Sequence, residues 1–412
     1  MQKFLVIWSG QLLSTIGSNM TSFALTIWAW EKTGTATALA FISFAFLAPN
    51  MLTGLFMGII VDRCDRKSLM ILGDVITGIV SIILLLLYFF ATLEIWHIYL
   101  LIALTSPFSQ LQSLASETIV ADLVSPQNYT RAGSLTSMLG YGSQIVAPAL
   151  AGFLYPIMRL KGILLIDLFT LIVAIITIII TPIKRTKILL KSHKISSNFT
   201  EVISYLKKNT MLRTIIFIEI LFWFVHDISG TIFKPLILSR TDGDILILGS
   251  ISAAAGIGGV IGGLIITFWG GFKNHSQGLI LGMMSAGICK FIFGLGQSAL
   301  IWIPLQFFSS LNFPLIYSSR QALYLAEIPS NLQGRIFAFS SWLRLGVGAI
   351  SALLGGVLAD QFFEPFMMTN NILSPIFGAD KGAGMSFLYV LCSVGMFLVG
   401  FWGYKYQTRN KH

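Results

Sequence analysis

The sequence predicts an all-α membrane protein of twelve transmembrane helices, arranged as two six-helix pseudo-symmetric bundles. Three observations predict it: a charge-poor composition, apolar runs that fall into six and six, and a skew of Lys and Arg toward alternate loops. The chain is 55% hydrophobic and only 11% charged, with a mean hydropathy of +0.81. A soluble domain carries about 25% charged residues, so this composition describes an integral membrane protein.

A spanning helix needs roughly 20 mostly apolar residues. Runs of that kind lie at about 4–30, 37–61, 68–91, 97–121, 132–156 and 162–183, and again at about 211–238, 245–269, 277–297, 299–326, 336–362 and 384–404. Between the two series lies one long polar stretch, rich in Lys and Ser. The expected organisation is a first bundle over 1–183, a cytoplasmic linker over 184–210 and a second bundle over 211–412. The first run is too long for a cleaved leader and lacks a small-residue cleavage site, so it reads as a retained span.

The linker holds one more element. Asn198 precedes Glu201 at capping-box spacing, and Phe199, Val202, Ile203 and Leu206 recur at helical intervals before Lys207 and Lys208. The pattern predicts a short amphipathic helix lying on the inner membrane surface, with a plain connector as the alternative.

Orientation follows from the basic residues. With both termini in the cytoplasm, Lys3, Arg63, Arg66, Lys67, Arg131, the linker lysines with Arg185, Arg213, Lys273, Arg335, Lys405, Arg409 and Lys411 fall inside. Lys32, Arg159, Lys161, Arg240 and Lys381 remain outside. The formal charge of +10 is therefore a topology signal, and a nucleic-acid partner is not needed to explain it. Cys64, Cys289 and Cys392 are isolated in apolar surroundings, and no CxxC or His/Cys spacing suggests a metal or cofactor.

A faint repeat links the halves. Ala121-Asp122 is followed by a Pro-containing turn and Arg131, and Ala326-Glu327 by a similar turn and Arg335, six spans later. Two repeated halves are what an alternating-access carrier requires.

Between spans two and three stands GIIVDRCDRK, Gly58 to Lys67. Gly58 permits close helix approach. Asp62, Arg63, Asp65, Arg66 and Lys67 concentrate charge at an inner helix junction, where ion pairs can form and break as helices rock. A basic loop that only sets topology would need the Arg and Lys alone. The pattern resembles motif A of the major facilitator superfamily, G-x-x-x-D-R-x-G-R-K/R, with Asp65 where Gly is usual. That variant looks like the macrolide-efflux and enterobactin-exporter branch, as do the opening WSGQLLSTIGSNMTSFALTIWAWEKTGT, DLVSPQNYTRAGSL after span four and GGVLADQFFEP at the end of span eleven. Span four departs from the family's motif B, having Ser and Gln where its Arg is expected. Span five keeps only a degenerate antiporter motif C, in Gly140, Gly142, Ala147, Pro148, Ala151 and Gly152.

The resemblance implies the major facilitator fold, with spans one, four, seven and ten around a central cavity. Polar stripes at steps of three and four fall on those spans independently. They are Gln11, Thr15, Ser18 and Ser22 in span one, and Ser106, Gln110, Ser113 and Glu117 in span four. Span seven carries Glu219, Trp223, His226 and Gly230, and span ten Gln306, Ser310, Tyr317, Arg320 and Gln321. Ser and Thr in such stripes also bond their own helix backbone. The expected substrate contacts are Gln11, Thr15, Ser18, Gln110, Ser113, Trp223, His226, Gln306 and Tyr317. Span three adds Asp74, Thr77 and Ser81 on one face, outside this scheme, while Asp167 and Lys290 lie on supporting helices and read as structural.

Intramembrane carboxylates facing a cavity are proton-relay candidates, because leaving water favours the neutral acid. Glu219 and Asp227, with His226 assisting and Glu117 in reserve, are the expected coupling groups. Glu219 and Arg344 each lie some nine residues from the inner face, at about 13 Å depth, and so could pair. Asp62 is expected to pair with Arg131, and Arg66 with the start of a neighbouring inner helix, as a gate. The whole reads as a proton-driven exporter of a small amphipathic molecule such as a drug, siderophore or peptide. It is expected to work as a monomer in a bacterial inner membrane, with lipid, protons and the small molecule as its partners. An importer or a lipid flippase of the same fold is the alternative. A membrane acyltransferase would need a His/Asp pair at the membrane surface, and His226–Asp227 lies deep in a span.

Overall fold

The computed structural model describes residues 1–182, 195–369 and 372–409. Among these residues the chain is helical throughout. The long helices are α1 (Gln2–Thr33), α2 (Ala36–Arg63), α3 (Arg66–Phe89) and α4 (Ile95–Thr118). A short α5 (Val120–Leu123) and a 3-10 turn (Pro126–Asn128) lead into α6 (Tyr129–Ile180). The linker helix α7 (Ile195–Lys208) precedes α8 (Thr210–Arg240), α9 (Ile245–Trp269), α10 (His275–Leu295), α11 (Ala299–Glu327) and α12 (Ser330–Leu358). A π-turn (Ala359–Phe363), α13 (Glu364–Met368) and α14 (Ser374–Phe377) then lead into α15 (Ala383–Arg409).

Local chemistry sets the ends. Asp65, Asn209, Asp244 and Asn274 cap α3, α8, α9 and α10 by accepting backbone N–H groups of the first turn. Gly34 closes α1 in the left-handed conformation, at φ 64°, which costs glycine nothing. The runs expected at 132–156 and 162–183 are joined in α6, where only Arg159 leaves helical geometry, at φ 54°. Nine of the described helical segments are long and apolar enough to cross a membrane; α1 and α4 are not among them. Large apolar side chains cover the outer faces, with Phe268 and Leu300 each 87% exposed, as a lipid-facing surface requires.

The chain divides into two compact units: Met1–Gly34 with Ala45–Lys191, and Thr35–Phe44 with Ser192–His412. In the first, α1 packs along α6, and α3 packs on α4 and α6. In the second, α11 packs on α9 and α10, and α8 on α12 and α15.

The linker helix corrects the sequence reading. It begins at Ile195, so Asn198 stands inside the helix and is not its cap. Val202 and Leu206 do not face a bilayer; they are buried in the second unit's core with Leu212, Tyr324 and Ile336. Glu201 pairs with Arg335, and Tyr205 Oη donates to the carbonyl of Glu327 at 3.2 Å.

Candidate functional site

The first unit encloses a cavity of about 330 Å³ between α1, α3, α4 and α6. Its polar wall is built from Gln11, Ser14, Thr15, Ser18 and Asn19 of α1, with Asp74 and Thr77 of α3. Helix α4 adds Ser109, Gln112, Ser113, Ser116 and Glu117. An amide chain crosses the wall. Gln112 Nε2 donates to Gln11 Oε1 at 2.5 Å, and Gln11 Nε2 donates to Asp74 Oδ2 at 3.0 Å. Gly73 makes room for it, since a Cβ there would lie 2.5 Å from Cβ of Gln112.

Of the polar stripes expected on spans one and four, Gln11, Thr15, Ser18, Ser113 and Glu117 line this cavity, while Ser22, Ser106 and Gln110 are not in its wall. Ser106 is buried, and the Gln110 carbonyl is buried without a hydrogen bond. The face of α4 that meets the cavity is thus rotated from the expected stripe toward Ser109, Gln112 and Ser116. Thr15 Oγ1 bonds its own helix at the carbonyl of Gln11, at 2.7 Å. Ser18 and Ser81 each donate to Asp167 at 2.9 Å, which ties α1 and α3 to α6 through a buried carboxylate. The sequence reading left Asp74 unassigned and passed over Gln112.

The second unit gathers a polar and aromatic cluster on α8, α11 and α12. Trp223 stacks on Tyr317 at 5.5 Å and on Phe313 at 6.0 Å, and the His226 ring meets Phe313 edge-on at 5.1 Å. The Arg344 guanidinium sits 4.2 Å over Trp223. Here the expected Glu219–Arg344 pair is corrected. Arg344 binds Asp227 through both terminal nitrogens, with Nη2 at 3.0 Å from Oδ1, and His226 Nδ1 lies 3.1 Å from the same oxygen. Glu219 instead accepts from Tyr324 Oη at 2.8 Å, and Ser340 Oγ lies 3.5 Å from that hydroxyl. Glu219 Oε1 and Arg320 Nε are buried without a hydrogen-bond partner and line one pocket of about 20 Å³, room for a single water. Gln306 leaves its carbonyl oxygen buried and unpaired. Lys290 donates to Tyr389 Oη at 3.2 Å in the packing between α10 and α15.

At the charged junction, Gly58 stands within α2, and the side chains of Asp62 and Arg131 lie outside the described residues. Arg63 is exposed. Asp65 caps α3 by accepting from Ser68 N at 3.0 Å. Arg66 donates to the carbonyl of Thr118, at the end of α4, at 3.0 Å. Lys67 donates to the carbonyls of Ile179 and Thr181, at the end of α6, at 3.0 and 2.9 Å. These cations meet the negative ends of two helix dipoles.

A family model described as Major Facilitator Superfamily matches residues 7–353. The chain is 26% identical over 365 residues to macrolide efflux protein A of Streptococcus pyogenes, covering 87% of this chain and 90% of that protein. It is 25% identical over 313 residues to macrolide efflux protein A of Enterococcus faecalis, covering 74% and 96%. Among solved structures, a point variant of the nucleoside transporter NupG superposes with a TM-score of 0.78 at 11% identity, over 98% of this chain and 99% of that one. A bacterial homologue of the iron transporter ferroportin, in its inward-facing state, superposes with a TM-score of 0.73 at 15% identity, over 98% of each chain. At these identities the structural likeness speaks to the fold.

Proposed function

Because the chain belongs to the Major Facilitator Superfamily, a family of transporters and not of enzymes, we propose that it exports a small amphipathic molecule by alternating access, with protons as the exchanged ion. The observation that carries this reading is the first unit's cavity of about 330 Å³, walled by amides, hydroxyls and two carboxylates between α1, α3, α4 and α6. A cavity of that volume, lined by both polar and apolar side chains, suits a drug-sized molecule. The names of the relatives from Streptococcus pyogenes and Enterococcus faecalis support efflux and a macrolide-like substrate. In the second unit, Glu219 with its unpaired oxygen, and Asp227 held between His226 and Arg344, are the proposed coupling groups. Trp223 and Tyr317 are the proposed aromatic contacts for substrate. Arg66 and Lys67, seated on helix ends, belong to the proposed gate with Asp62 and Arg131. In this reading both termini lie in the cytoplasm, and the chain works as a monomer in a bacterial inner membrane.

The test is accumulation of a radiolabelled macrolide in cells with and without the protein, before and after the proton gradient is collapsed. Lower accumulation that depends on the gradient is the expected result. Higher accumulation would mean import, and no difference for macrolides would remove them as substrate.

A further inference from the structure

We propose that Asp74, with Glu117, makes the first unit's cavity a subsite for an amphipathic organic cation. This deepens the exporter reading and rests on it for the cation being cargo. The charge balance of the wall leads there. Its described lining holds two carboxylates, Asp74 and Glu117, and no lysine, arginine or histidine. Asp74 is 5% exposed, and its hydrogen-bonding neighbours are neutral amides. Gln112 donates to Gln11, and Gln11 donates to Asp74. Both donors run toward the carboxylate, so the chain presents it as a pure acceptor. Amide dipoles do not replace a counter-charge for an acid held out of water. A proton or a cation can answer that charge, and the cavity that Asp74 lines gives a cation its approach.

The second unit shows the contrast. There Asp227 already has the Arg344 guanidinium, and Arg320 lies beside the unpaired oxygen of Glu219. A cationic ligand gains far less from those acids than from Asp74.

Shape sets the rest of the ligand. Phe4, Ile7, Trp8, Leu139 and Leu171 supply an apolar side to the same cavity. Trp8 is held in place, with Nε1 donating to the carbonyl of Leu135 at 2.7 Å, so a fixed indole faces the space. An aromatic ring and a carboxylate lining one space recognise a cation carried on hydrocarbon. A bare metal ion would need a tight oxygen cage, which a space of about 330 Å³ does not form.

The experiment uses two ions of one shape and opposite charge, tetraphenylphosphonium and tetraphenylborate, against the purified full-length chain in lipid nanodiscs. Binding is measured by equilibrium dialysis against empty nanodiscs. Wild type is expected to bind the phosphonium, with the borate failing to displace it. Asp74→Asn is expected to weaken phosphonium binding about tenfold or more, Glu117→Gln to weaken it less, and Asp74→Glu to keep it within a few-fold. Elution volume and thermal midpoint of each variant separate lost binding from lost folding. If Asp74→Asn and Glu117→Gln are folded and bind the phosphonium as wild type does, or if the borate competes equally, the subsite is wrong. Macrolide accumulation in cells keeps the two readings apart. Intact charge-selective binding with unchanged accumulation overturns the exporter and leaves the subsite. Export that persists while Asp74→Asn binds the phosphonium normally overturns the subsite alone.

Discussion

Arg344 holds the carboxylate of Asp227 with both terminal nitrogens, while Glu219, on the same helix as Asp227, takes its hydrogen bond from Tyr324 at 2.8 Å. The arginine also lies over the Trp223 ring, 4.2 Å from its centroid. One guanidinium therefore fixes an acid and an aromatic ring together, and joins α12 to α8 inside the second unit.

Removing one partner of this pair should cost more than removing both. Arg344→Gln leaves Asp227 short of its cation and is expected to destabilise the chain by about 1–3 kcal/mol, reduced from a fully buried pair by partial solvent contact. Adding Asp227→Asn should recover much of that loss, so the two changes are strongly non-additive. Thermal unfolding of the three variants in detergent measures the coupling. Simple additivity would show the pair to be a bystander.

Glu219 and Asp227 are eight residues apart on α8 and hold different partners, so they should separate in function. Under an imposed pH gradient in proteoliposomes, Glu219→Gln is expected to slow substrate exchange by about tenfold or more while leaving the fold intact. Tyr324→Phe, which removes one hydrogen bond, should cost about 1 kcal/mol of stability. If Glu219→Gln and Asp227→Asn both exchange at the wild-type rate, coupling lies elsewhere, with Glu117 the next carboxylate to replace.

Much of the fold was legible because apolar runs and basic loops are properties of the chain alone. The run expected at 245–269 is α9, Ile245–Trp269. The site was less legible because helical period defines a face without saying how that face is turned. On α4 the spacing admits Ser106, Gln110, Ser113 and Glu117, yet the cavity takes Ser109, Gln112, Ser113, Ser116 and Glu117, a rotation that the helical period alone does not specify. Arg344 was matched to the acid at equal counted depth, but eight residues of α8 span about 12 Å, and the offset between α8 and α12 decides the choice. Asp74 stood out as an acid in a span, but its partner Gln11 lies 63 residues away, and a contact at that separation leaves no local pattern.

The motif's basic residues should act first through helix ends. Lys67→Ala strips the cation from the carbonyls of Ile179 and Thr181, and a charge at a helix C-terminus contributes about 0.3–1 kcal/mol. Lys67→Arg should retain most of it. Thermal midpoints of the two variants at low and high salt provide the check, and the difference between them should shrink as salt screens the interaction. A difference that ignores salt would point to packing of the lysine stem.

Asp360 extends the helix-end principle to the second unit. Its Oδ1 accepts the backbone N–H of Ala36 at 3.0 Å, and its Oδ2 accepts that of Thr37 at 2.7 Å. Both are first-turn donors of α2, which have no partner within their own helix. Gly356, one turn earlier, allows the approach: a Cβ there would lie 2.5 Å from Cβ of Ala40 and 2.8 Å from Cα of Thr37. Asp360→Ala should therefore expose both amides and cost about 0.5–2 kcal/mol, the usual range for a lost cap. Asp360→Asn keeps one side-chain acceptor and should fall between the two. Gly356→Ala should reproduce the Asp360→Ala effect by pushing the turn away, since overpacking costs about 1–3 kcal/mol. Hydrogen exchange at Ala36 and Thr37 reads the cap directly. Faster exchange is expected in Asp360→Ala and Gly356→Ala, with the amides of α9 unchanged. Exchange at Ala36 and Thr37 that stays at the wild-type rate in Asp360→Ala would mean that the carboxylate does not hold the first turn.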